Sequence, residues 1–524
     1  MGGRRTRVAA ATLAELPDAW VNAWPTLEAA ADRSGSVTFA ELARGSAEWA
    51  AALWRHGFGP GSRVVLWGAN SATWLVRAFG VWRAGCTLVP LSTFVTGREL
   101  QEILGSARPD LLLMDRRVGE KDLVAPLRDA VLPPSLQRIV VDDCTGMGDA
   151  QGADEFLAAA RGSEWRENLA RPEAVAAILY TSGTTGLPKG VRLQHRAVLS
   201  TVGPTVVRGG LRPGDRVLST LPLFWVAGLC IRALPTLASG AALLLIDAFT
   251  VEKLLAALRR WAPTGLHLRP PQVAALLAHP DFDGRLLQGV RRGGGRKEWY
   301  RGHLDRARLI TGYGMTEMSG YVAALSWRDP DEVRAHSLGK LLPGVEVRIV
   351  GEDGQECRPG DVGEIRVRGP GLFDGYEGQP PRTALDSSGF FCTGDLGVID
   401  SQGDLHFVGR SKDLLRCKGV NVSPVEVESV LLQHPDIEAA VVVGLPPEAL
   451  DQELVAVVVP RDGQNREHEW REWCRSMLSP YKRPSVYVTV RREEIPLGAT
   501  SKPQRKAVAE LVLARLGTIR PAST

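Results

Sequence analysis

The sequence predicts an α/β protein with a large N-terminal domain and a smaller C-terminal one. Periodic helical stretches at 39–54, 71–83 and 97–106 alternate with short β-rich runs at 63–68, 110–115 and 138–143. This alternation is typical of βαβ units and largely parallel sheets. The length of 524 residues corresponds to roughly two to four domains.

The pattern changes near residue 344. From there to about residue 409, short β-type segments are separated by Gly and Asp turns, which predicts a smaller antiparallel sheet or barrel. A mixed α/β region follows, with helices expected near 424–434, 466–478 and 503–516. We therefore predict an N-terminal body over 1–412, with its β-rich part at about 344–409, and a C-terminal domain over 413–524.

Charge and cysteine content exclude several classes of protein. The chain has 63 Lys and Arg against 59 Asp and Glu, a net charge of +4, so nothing in its charge favours a nucleic acid or an anionic membrane as partner. Its seven cysteines include no CxxC pair, which argues against a disulfide framework or a structural zinc site. No apolar run approaches the ~20 residues of a membrane span, and the start does not resemble a signal peptide. We therefore expect a cytoplasmic protein.

The most informative segment is 180-YTSGTTGLPKGV-191, which directly follows the apolar run 175-VAAIL-179. Its glycines, hydroxyl groups and single lysine suit a polyphosphate ligand. It is not a Walker loop, which needs Gly-Lys-Ser/Thr, because Pro188 precedes Lys189 and Gly190 follows it. Taken alone, the segment could also be interpreted as a mobile Gly/Ser loop on the surface.

Together with seven further segments, this loop resembles the adenylate-forming superfamily, which includes acyl-CoA synthetases, carrier-protein-loading adenylation domains and beetle luciferase. The resemblance extends over almost the entire chain. The segments follow the family's order: 221-LPLFWVAG-228, 293-GGG-295, 312-GYGMTE-317, 363-GEIRVRGPGLFDGY-376, 389-GFFCTGDLG-397, 409-GRSKDLLRCKGVNVSPVEVE-428 and 495-IPLGATSKPQRK-506.

The resemblance implies both a fold and a reaction. The fold has two mixed, largely parallel sheets flanked by helices, a small β-barrel-like subdomain and a small mobile α/β C-terminal domain. In the reaction, a carboxylate attacks the α-phosphate of ATP, pyrophosphate leaves, and a thiol or amine then displaces AMP. Because a carboxylate must approach a triphosphate, positioned cations and Mg²⁺ are the expected means of catalysis.

The resemblance also assigns the residues that hold ATP. The phosphate loop comprises Thr181, Ser182, Gly183, Thr184, Thr185, Gly186 and Lys189. Tyr313 covers one face of adenine and the backbone of Gly293, Gly294 and Gly295 covers the other, while Asp395 and Arg410 contact the ribose. Glu317 ligates Mg²⁺ and Thr316 contacts the α-phosphate. Outside their motifs, Glu317 would be a solvated helix-start residue and Asp395 a turn residue.

Three further roles lie in the C-terminal part of the chain. Asp413 matches the hinge about which the C-terminal domain swings between two poses, and Lys502 matches a late lysine that neutralises charge between carboxylate and α-phosphate. Gly419 borders the thiol tunnel, where Lys418 replaces a common glycine and so puts CoA in question as the acceptor. Ser501 replaces the glycine that usually precedes the late lysine.

By the same resemblance, the acyl pocket includes Trp225, Val226, Gly228, Arg269 and Gly314. Trp225 stands where many acyl-CoA ligases have His and where amino-acid adenylation domains have Asp. Since an indole cannot neutralise an ammonium, we do not expect ordinary α-amino acids as substrates. Arg269 and Arg296 are hypothesised to favour a second anionic or strongly polar group, or a small oxyanion. Surface arginines of an Arg-rich chain are the alternative.

We predict an ATP- and Mg²⁺-dependent ligase that makes an acyl-CoA from a carboxylic acid. One alternative is a stand-alone adenylation enzyme that transfers its acyl group to a carrier protein or an amine. A second is activation of a small oxyanion such as nitrite for coupling to an amine. A luciferase-like oxygenase and a nucleotide-binding protein without catalysis remain further alternatives. The sequence does not identify the acid.

Overall fold

In a computed structural model of the chain, the described residues are 10–148, 150–162, 165, 168–182, 188–410, 415–417, 420–445, 452–478, 480–498 and 503–519. The chain divides into two compact units. The first comprises Met1–Val347, Val367–Phe391 and Gly403–Leu405, and the second Arg348–Arg366, Cys392–Gln402 and His406–Thr524. Asp413 lies outside the described residues, so the predicted boundary at residue 412 stays a prediction.

The first unit contains a seven-stranded sheet. All neighbouring strands are parallel except the last two, which are antiparallel. Leu244 and Leu266 of this sheet pack with buried residues of two helices, among them Leu258 and Leu276. The strand order is Arg308–Ile310, Arg292–Gly294, Gly265–His267, Arg216–Ser219, Ala242–Leu245, Glu28–Asp32 and Gly35–Thr38.

The first unit also contains an eight-stranded sheet. Its central and last strands pair in parallel, and the first three strands are antiparallel. The order is Gly375–Tyr376, Pro188–Gln194, Val175–Ser182, Thr87–Pro90, Arg63–Trp67, Leu111–Met114, Arg138–Val141 and Gln151–Gly152. Two largely parallel sheets are therefore confirmed.

A small antiparallel sheet completes the first unit. It consists of the strands Gly312–Met315, Gly320–Ala324 and Lys340–Leu341. A short hairpin is formed by Arg117–Val118 and Lys121–Asp122.

Two helices of the first unit begin at complete capping boxes. Phe39–Arg55 and Gly97–Ala107 each start with a capping box, made by Thr38 with Glu41 and by Thr96 with Glu99. These two helices and Ala72–Arg83 confirm the predicted ones within a residue at each end. The others are Leu16–Ala23, Val124–Arg128, Ala153–Ala158, His195–Gly209, Val226–Gly228, Leu234–Ala238, Val251–Trp261, Pro270–Ala278 and Asp331–His336.

The second unit contains most of a four-stranded sheet, in the order Glu346–Val350, Gly363–Arg368, Phe391–Ile399 and Leu405–Arg410. A second sheet has the order Ile437–Leu445, Glu453–Pro460 and Val486–Thr489, and Leu415–Cys417 pairs with Val420–Val422. The helices are Pro424–Leu431, Glu467–Met477 and Arg505–Ile519, near the predicted positions. Trp470 and Val458 belong to a core between these elements. Among the described residues of the whole chain, no helix has both the length and the apolar character that crossing a membrane requires.

Candidate active site

The segment predicted to bind phosphates connects two paired strands, Val175–Ser182 and Pro188–Gln194, which together are named the phosphate hairpin. Val175–Ser182 and Pro188–Gln194 are antiparallel, with Thr181 opposite Lys189 and Ser182 opposite Pro188. The apolar residues 176–179 are buried, which holds the first strand within the sheet. The predicted phosphate ligands Gly183, Thr184, Thr185 and Gly186 lie outside the described residues. The pairing fixes the two ends of their loop beside each other.

Lys189 and Glu317 both contact Tyr376. The Lys189 Nζ atom stands 5.7 Å from the centroid of the Tyr376 ring, close enough for a cation–π contact. The Tyr376 hydroxyl donates a hydrogen bond of 2.9 Å to Oε1 of Glu317. Burial, and next the Glu317 carboxylate, raise the pKa of Tyr376 above its ordinary value. The phenol therefore stays protonated near neutral pH and orients the carboxylate.

Tyr376 is a residue that the sequence reasoning missed. It is the last residue of the segment 363-GEIRVRGPGLFDGY-376, so a signal was present, but no role was assigned to it. The strand Gly375–Tyr376 pairs with Pro188–Gln194, which places Tyr376 on the strand next to Lys189.

The motif around Glu317 forms the end of a strand and a single helical turn. Gly312–Met315 pairs with Gly320–Ala324, and Thr316–Met318 is a short 3₁₀ turn. Tyr313 and Thr316 are buried, whereas Glu317 is partly exposed. The backbone N–H of Phe373 donates to the Glu317 carbonyl oxygen at 2.8 Å. Hydrogen bonds therefore fix both the backbone and the carboxylate of Glu317.

The glycine segment 293–295 continues one strand of the seven-stranded sheet. Gly293 pairs with Leu266 of the neighbouring strand. A Cβ atom on Gly293 would lie 2.1 Å from the Leu266 carbonyl oxygen, so only glycine fits there. This close approach keeps the backbone of Gly293 directly against the neighbouring strand.

Trp225 belongs to a small aromatic group. Its ring centroid lies 5.4 Å from that of Phe224 and 6.0 Å from that of Phe94, which is 51% exposed. The Arg269 guanidinium lies 5.9 Å from the Trp225 ring centroid, and burial lowers the pKa of Arg269. Trp225 directly precedes the helix Val226–Gly228. The structure thus brings Trp225 and Arg269 together.

Arg296 has a different environment. Its guanidinium donates to the carbonyl oxygens of Arg334 and Ala335 at 3.2 and 2.7 Å. Both acceptors belong to the last turn of the helix Asp331–His336, where a cation satisfies terminal carbonyls. Arg296 therefore supports this helix end.

In the second unit, the two residues predicted to bind ribose contact each other. Arg410 donates through Nε to Oδ1 of Asp395 at 3.1 Å. Asp395 is buried, and its backbone N–H donates to Thr393 Oγ1 at 3.0 Å. The remaining predicted residues of this part, Asp413, Lys418, Gly419, Ser501 and Lys502, lie outside the described residues.

The donor set around Glu317 fits a magnesium ion. Mg²⁺ usually keeps several waters and is held by one or two carboxylates together with substrate phosphates. Glu317, near Lys189 and the phosphate hairpin, supplies one such carboxylate. Among the described residues, only His434, Asp436 and Glu469 form a compact group of three possible metal ligands, and they belong to the second unit.

The fold, the hairpin and the adjoining Glu317 motif define an adenylate-forming enzyme. A family model described as AMP-binding enzyme matches residues 17–377, and one described as AMP-binding enzyme C-terminal domain matches residues 426–502. The chain belongs to this family. It is an adenylate-forming acid–thiol ligase, which confirms the predicted class of enzyme.

Individual relatives agree with this assignment. Feruloyl-CoA synthase of Amycolatopsis sp is 32% identical over 463 residues, which cover 86% of this chain and 89% of the relative. The anthranilate CoA ligase AuaEII in complex with anthranoyl-AMP has a TM-score of 0.84 at 25% identity, covering 96% of this chain and 98% of that one. The amide bond synthetase McbA from Marinactinospora thermotolerans has a TM-score of 0.79 at 28% identity, covering 95% and 99%.

Proposed function

We propose that the protein converts a carboxylic acid into its CoA thioester through an acyl-adenylate, with CoA as the thiol and Mg²⁺ as the metal. The observation that carries the proposal is the Lys189–Tyr376–Glu317 cluster beside the phosphate hairpin. It combines one cation for phosphate oxygens with one oriented carboxylate for a metal. The similarity to feruloyl-CoA synthase and to an anthranilate CoA ligase supports CoA as the acceptor.

In the first step, a carboxylate oxygen of the acid attacks the α-phosphorus of ATP. The bond from that phosphorus to the bridging oxygen breaks, and pyrophosphate leaves. Lys189 binds the β- and γ-phosphates, and the Thr316 hydroxyl donates to an α-phosphate oxygen. Glu317 would hold Mg²⁺, which neutralises phosphate charge when bound. Lys502 balances the charge that develops between the carboxylate and the α-phosphate.

The nucleoside is held by the remaining predicted residues. The Asp395 carboxylate accepts hydrogen bonds from the ribose hydroxyls, and Arg410 contributes a second ribose contact. Tyr313 and the backbone of Gly293 to Gly295 cover the two faces of adenine. In the second step the thiol sulfur attacks the acyl carbonyl carbon, the bond to AMP breaks, and the thiol proton passes to solvent.

The test is pyrophosphate release from Mg-ATP over aliphatic, aromatic, amino and dicarboxylic acids plus nitrite, with and without CoA. We expect release with a carboxylic acid that increases when CoA is added. Lys502→Ala should reduce release at least 100-fold while ATP binding persists. The matched control is Lys506→Ala, an exposed lysine four residues later, which should stay within twofold of the wild type. Unchanged turnover in Lys502→Ala would refute the assigned mechanism.

Amide formation is the second candidate function. The similarity to the amide bond synthetase McbA, together with Lys418 in the predicted thiol tunnel, favours an amine as the acceptor. If pyrophosphate release does not respond to CoA, the same acids are incubated with primary amines. Amide product without thioester would establish the second candidate and exclude the first.

A further inference from the structure

A small cavity with both polar and apolar lining residues lies in the first unit. Its lining includes Arg232, Thr236, His267 and Gly293, and its volume is about 20 Å³. A cavity of this size accommodates a group of one or two water-sized atoms, such as the oxygens of a carboxylate. It is too small for an aromatic ring.

Arg232, which lines the cavity, is linked to the segments predicted to form the acyl pocket. The helix Val226–Gly228 continues directly into the turn Leu229–Ala233, which contains Arg232. The Arg232 Nη2 atom donates to the Tyr321 hydroxyl at 2.8 Å, and Tyr321 pairs with Gly314 in the small antiparallel sheet. Arg232 therefore follows Val226 and Gly228 in the chain and contacts the strand partner of Gly314.

Three polar atoms of the cavity lining have no hydrogen-bond partner among the described residues. They are buried atoms of three side chains: Nε of Arg232, Nδ1 of His267 and Oγ1 of Thr236. His267 is 5% exposed and Thr236 is 1% exposed. Because a buried polar atom without a partner costs free energy, this group of atoms calls for a polar ligand.

The charge of the cavity indicates the sign of that ligand. Among the described residues, no carboxylate forms an ion pair with Arg232, whereas the buried Arg77 pairs with Asp115 and Asp142. Nη2 of Arg232 and Nδ1 of His267 each lie 2.6 Å from the point where a Cβ on Gly294 would stand, so the two side chains are neighbours. Burial and then Arg232 lower the pKa of His267 well below its ordinary value. The imidazole is therefore neutral, and the guanidinium is the charged group.

We propose that Arg232, His267 and Thr236 bind a second carboxylate at the far end of the substrate, so that the enzyme activates a dicarboxylic acid. This inference rests on the proposed function, because it names the class of acid. Arg232 would form an ion pair with the distal carboxylate. The Thr236 hydroxyl and the imidazole would complete its hydrogen bonds. The partly buried Arg232 side chain, whose Nε atom is buried, would thereby gain a charged hydrogen-bond partner.

The test compares diacids of increasing length with their monoamides, which have the same shape but lack the second charge. The readout is kcat/KM for pyrophosphate release. For the best diacid we expect at least a tenfold advantage over its monoamide in the wild type. Arg232→Met should lower kcat/KM for the diacid about 100-fold and for the monoamide less than threefold. Arg232→Lys keeps the charge, so its kcat/KM for the diacid should lie between the values of the wild type and of Arg232→Met.

The control variant is Arg44→Met. Arg44 is an exposed helix residue whose side chain is 71% exposed, and its loss should leave both rates within twofold. Thr236→Val removes one hydroxyl from the same cluster and replaces Arg232→Met if the latter does not fold. In Thr236→Val, kcat/KM for the diacid should fall at least threefold relative to kcat/KM for the monoamide.

Each result separates the inference from the function on which it rests. If monoamides react as well as or better than every diacid in the wild type, the dicarboxylate inference is wrong and the ligase function stands. Equal losses for diacid and monoamide in Arg232→Met also overturn the inference. Failure of the wild type to release pyrophosphate with any acid would overturn the proposed function as well.

Discussion

Glu317 shows how one carboxylate acquires a fixed direction. Its Oε1 accepts the Tyr376 hydroxyl at 2.9 Å, and its carbonyl oxygen accepts the Phe373 N–H at 2.8 Å. A carboxylate that ligates a metal works best when a neighbouring donor orients it. Tyr376 is thus a positioning residue in the proposed mechanism.

Tyr376→Phe removes this donor and keeps the ring. We expect kcat for pyrophosphate release to fall about tenfold, because a hydrogen bond to a charged group contributes roughly 1.5 kcal/mol. The Mg²⁺ concentration giving half-maximal rate should rise. Titration of the rate with Mg²⁺ checks both.

The control is Tyr300→Phe. The Tyr300 hydroxyl is buried and finds no hydrogen-bond partner in the part of the chain that the structure describes, so its removal should leave rate and Mg²⁺ dependence within twofold of the wild type. An unaltered Mg²⁺ dependence in Tyr376→Phe would contradict the positioning role.

His195 is a buried histidine with a structural role. Its Nδ1 accepts a hydrogen bond of 3.2 Å from the backbone N–H of Leu13, and it is 1% exposed. Burial lowers the pKa of His195 to about 4. In the unfolded chain the imidazole takes up a proton near its ordinary pKa of 6.5, whereas in the folded protein it does so only near 4. The stability that this group contributes is therefore fully present above pH ~6.5 and decreases as the pH falls towards 4.

For His195→Asn we expect a smaller loss of stability between pH 7.5 and pH 5. The imidazole accounts for about 2 kcal/mol of that loss in the wild type. Thermal unfolding at the two pH values measures it. His468→Asn, at an exposed position, should leave the wild-type pH dependence in place. If His195→Asn also retains the wild-type pH dependence of stability, the burial of His195 is not the cause of that dependence.

At the scale of elements, the segment 221–228 depends on one glycine. A Cβ atom on Gly228 would lie 1.9 Å from the Pro222 carbonyl oxygen. The chain therefore folds back on itself before the helix Val226–Gly228 only because position 228 has no side chain. Trp225 belongs to this turn, where its backbone N–H donates to the Pro222 carbonyl oxygen at 3.2 Å.

Gly228→Ala should destabilise the protein by about 2 to 3 kcal/mol, since the backbone must move away from the added methyl group. Gly105→Ala is the matched control. Gly105 lies in the helix Gly97–Ala107, and, apart from its chain neighbours and the helix backbone, no atom of the described residues lies within 4 Å of its Cβ position, so alanine should stabilise by about 0.5 to 1 kcal/mol. Thermal unfolding should show shifts of opposite sign. A neutral Gly228→Ala would mean that the backbone relaxes freely.

At the scale of the whole molecule, two units carry different parts of the predicted machinery. The first contains Lys189, Glu317 and the cavity at Arg232, and the second contains Asp395 and Arg410. The sequence predicts a hinge at Asp413, about which the C-terminal domain would swing between one pose for each step of the reaction.

Asp413→Pro tests the hinge, because proline fixes φ near −65° and limits rotation there. We expect thioester formation from supplied acyl-adenylate to slow at least tenfold relative to pyrophosphate release. Asp413→Ala keeps backbone freedom and should change that ratio less than threefold. Equal slowing of both steps in Asp413→Pro would contradict a pivot at this residue.

The α/β class, the main helices and the family were predictable from local information. Capping residues such as Thr38 and Thr96, and short apolar runs, act on their neighbours within a few residues. The helices and strands that they determine can therefore be predicted from the local sequence. The phosphate segment and the Glu317 motif were recognisable for the same reason. Their neighbours in space were not.

Contacts between distant segments required the tertiary structure. Tyr376 meets Glu317 across 59 residues of sequence, Arg296 supports a helix end, and Arg232 lies beside His267. These pairings follow from how strands order in the sheets and how closely glycine backbones approach, and neither is encoded in any short stretch of sequence. Motifs therefore established the type of reaction, whereas packing determined which polar and charged groups lie together.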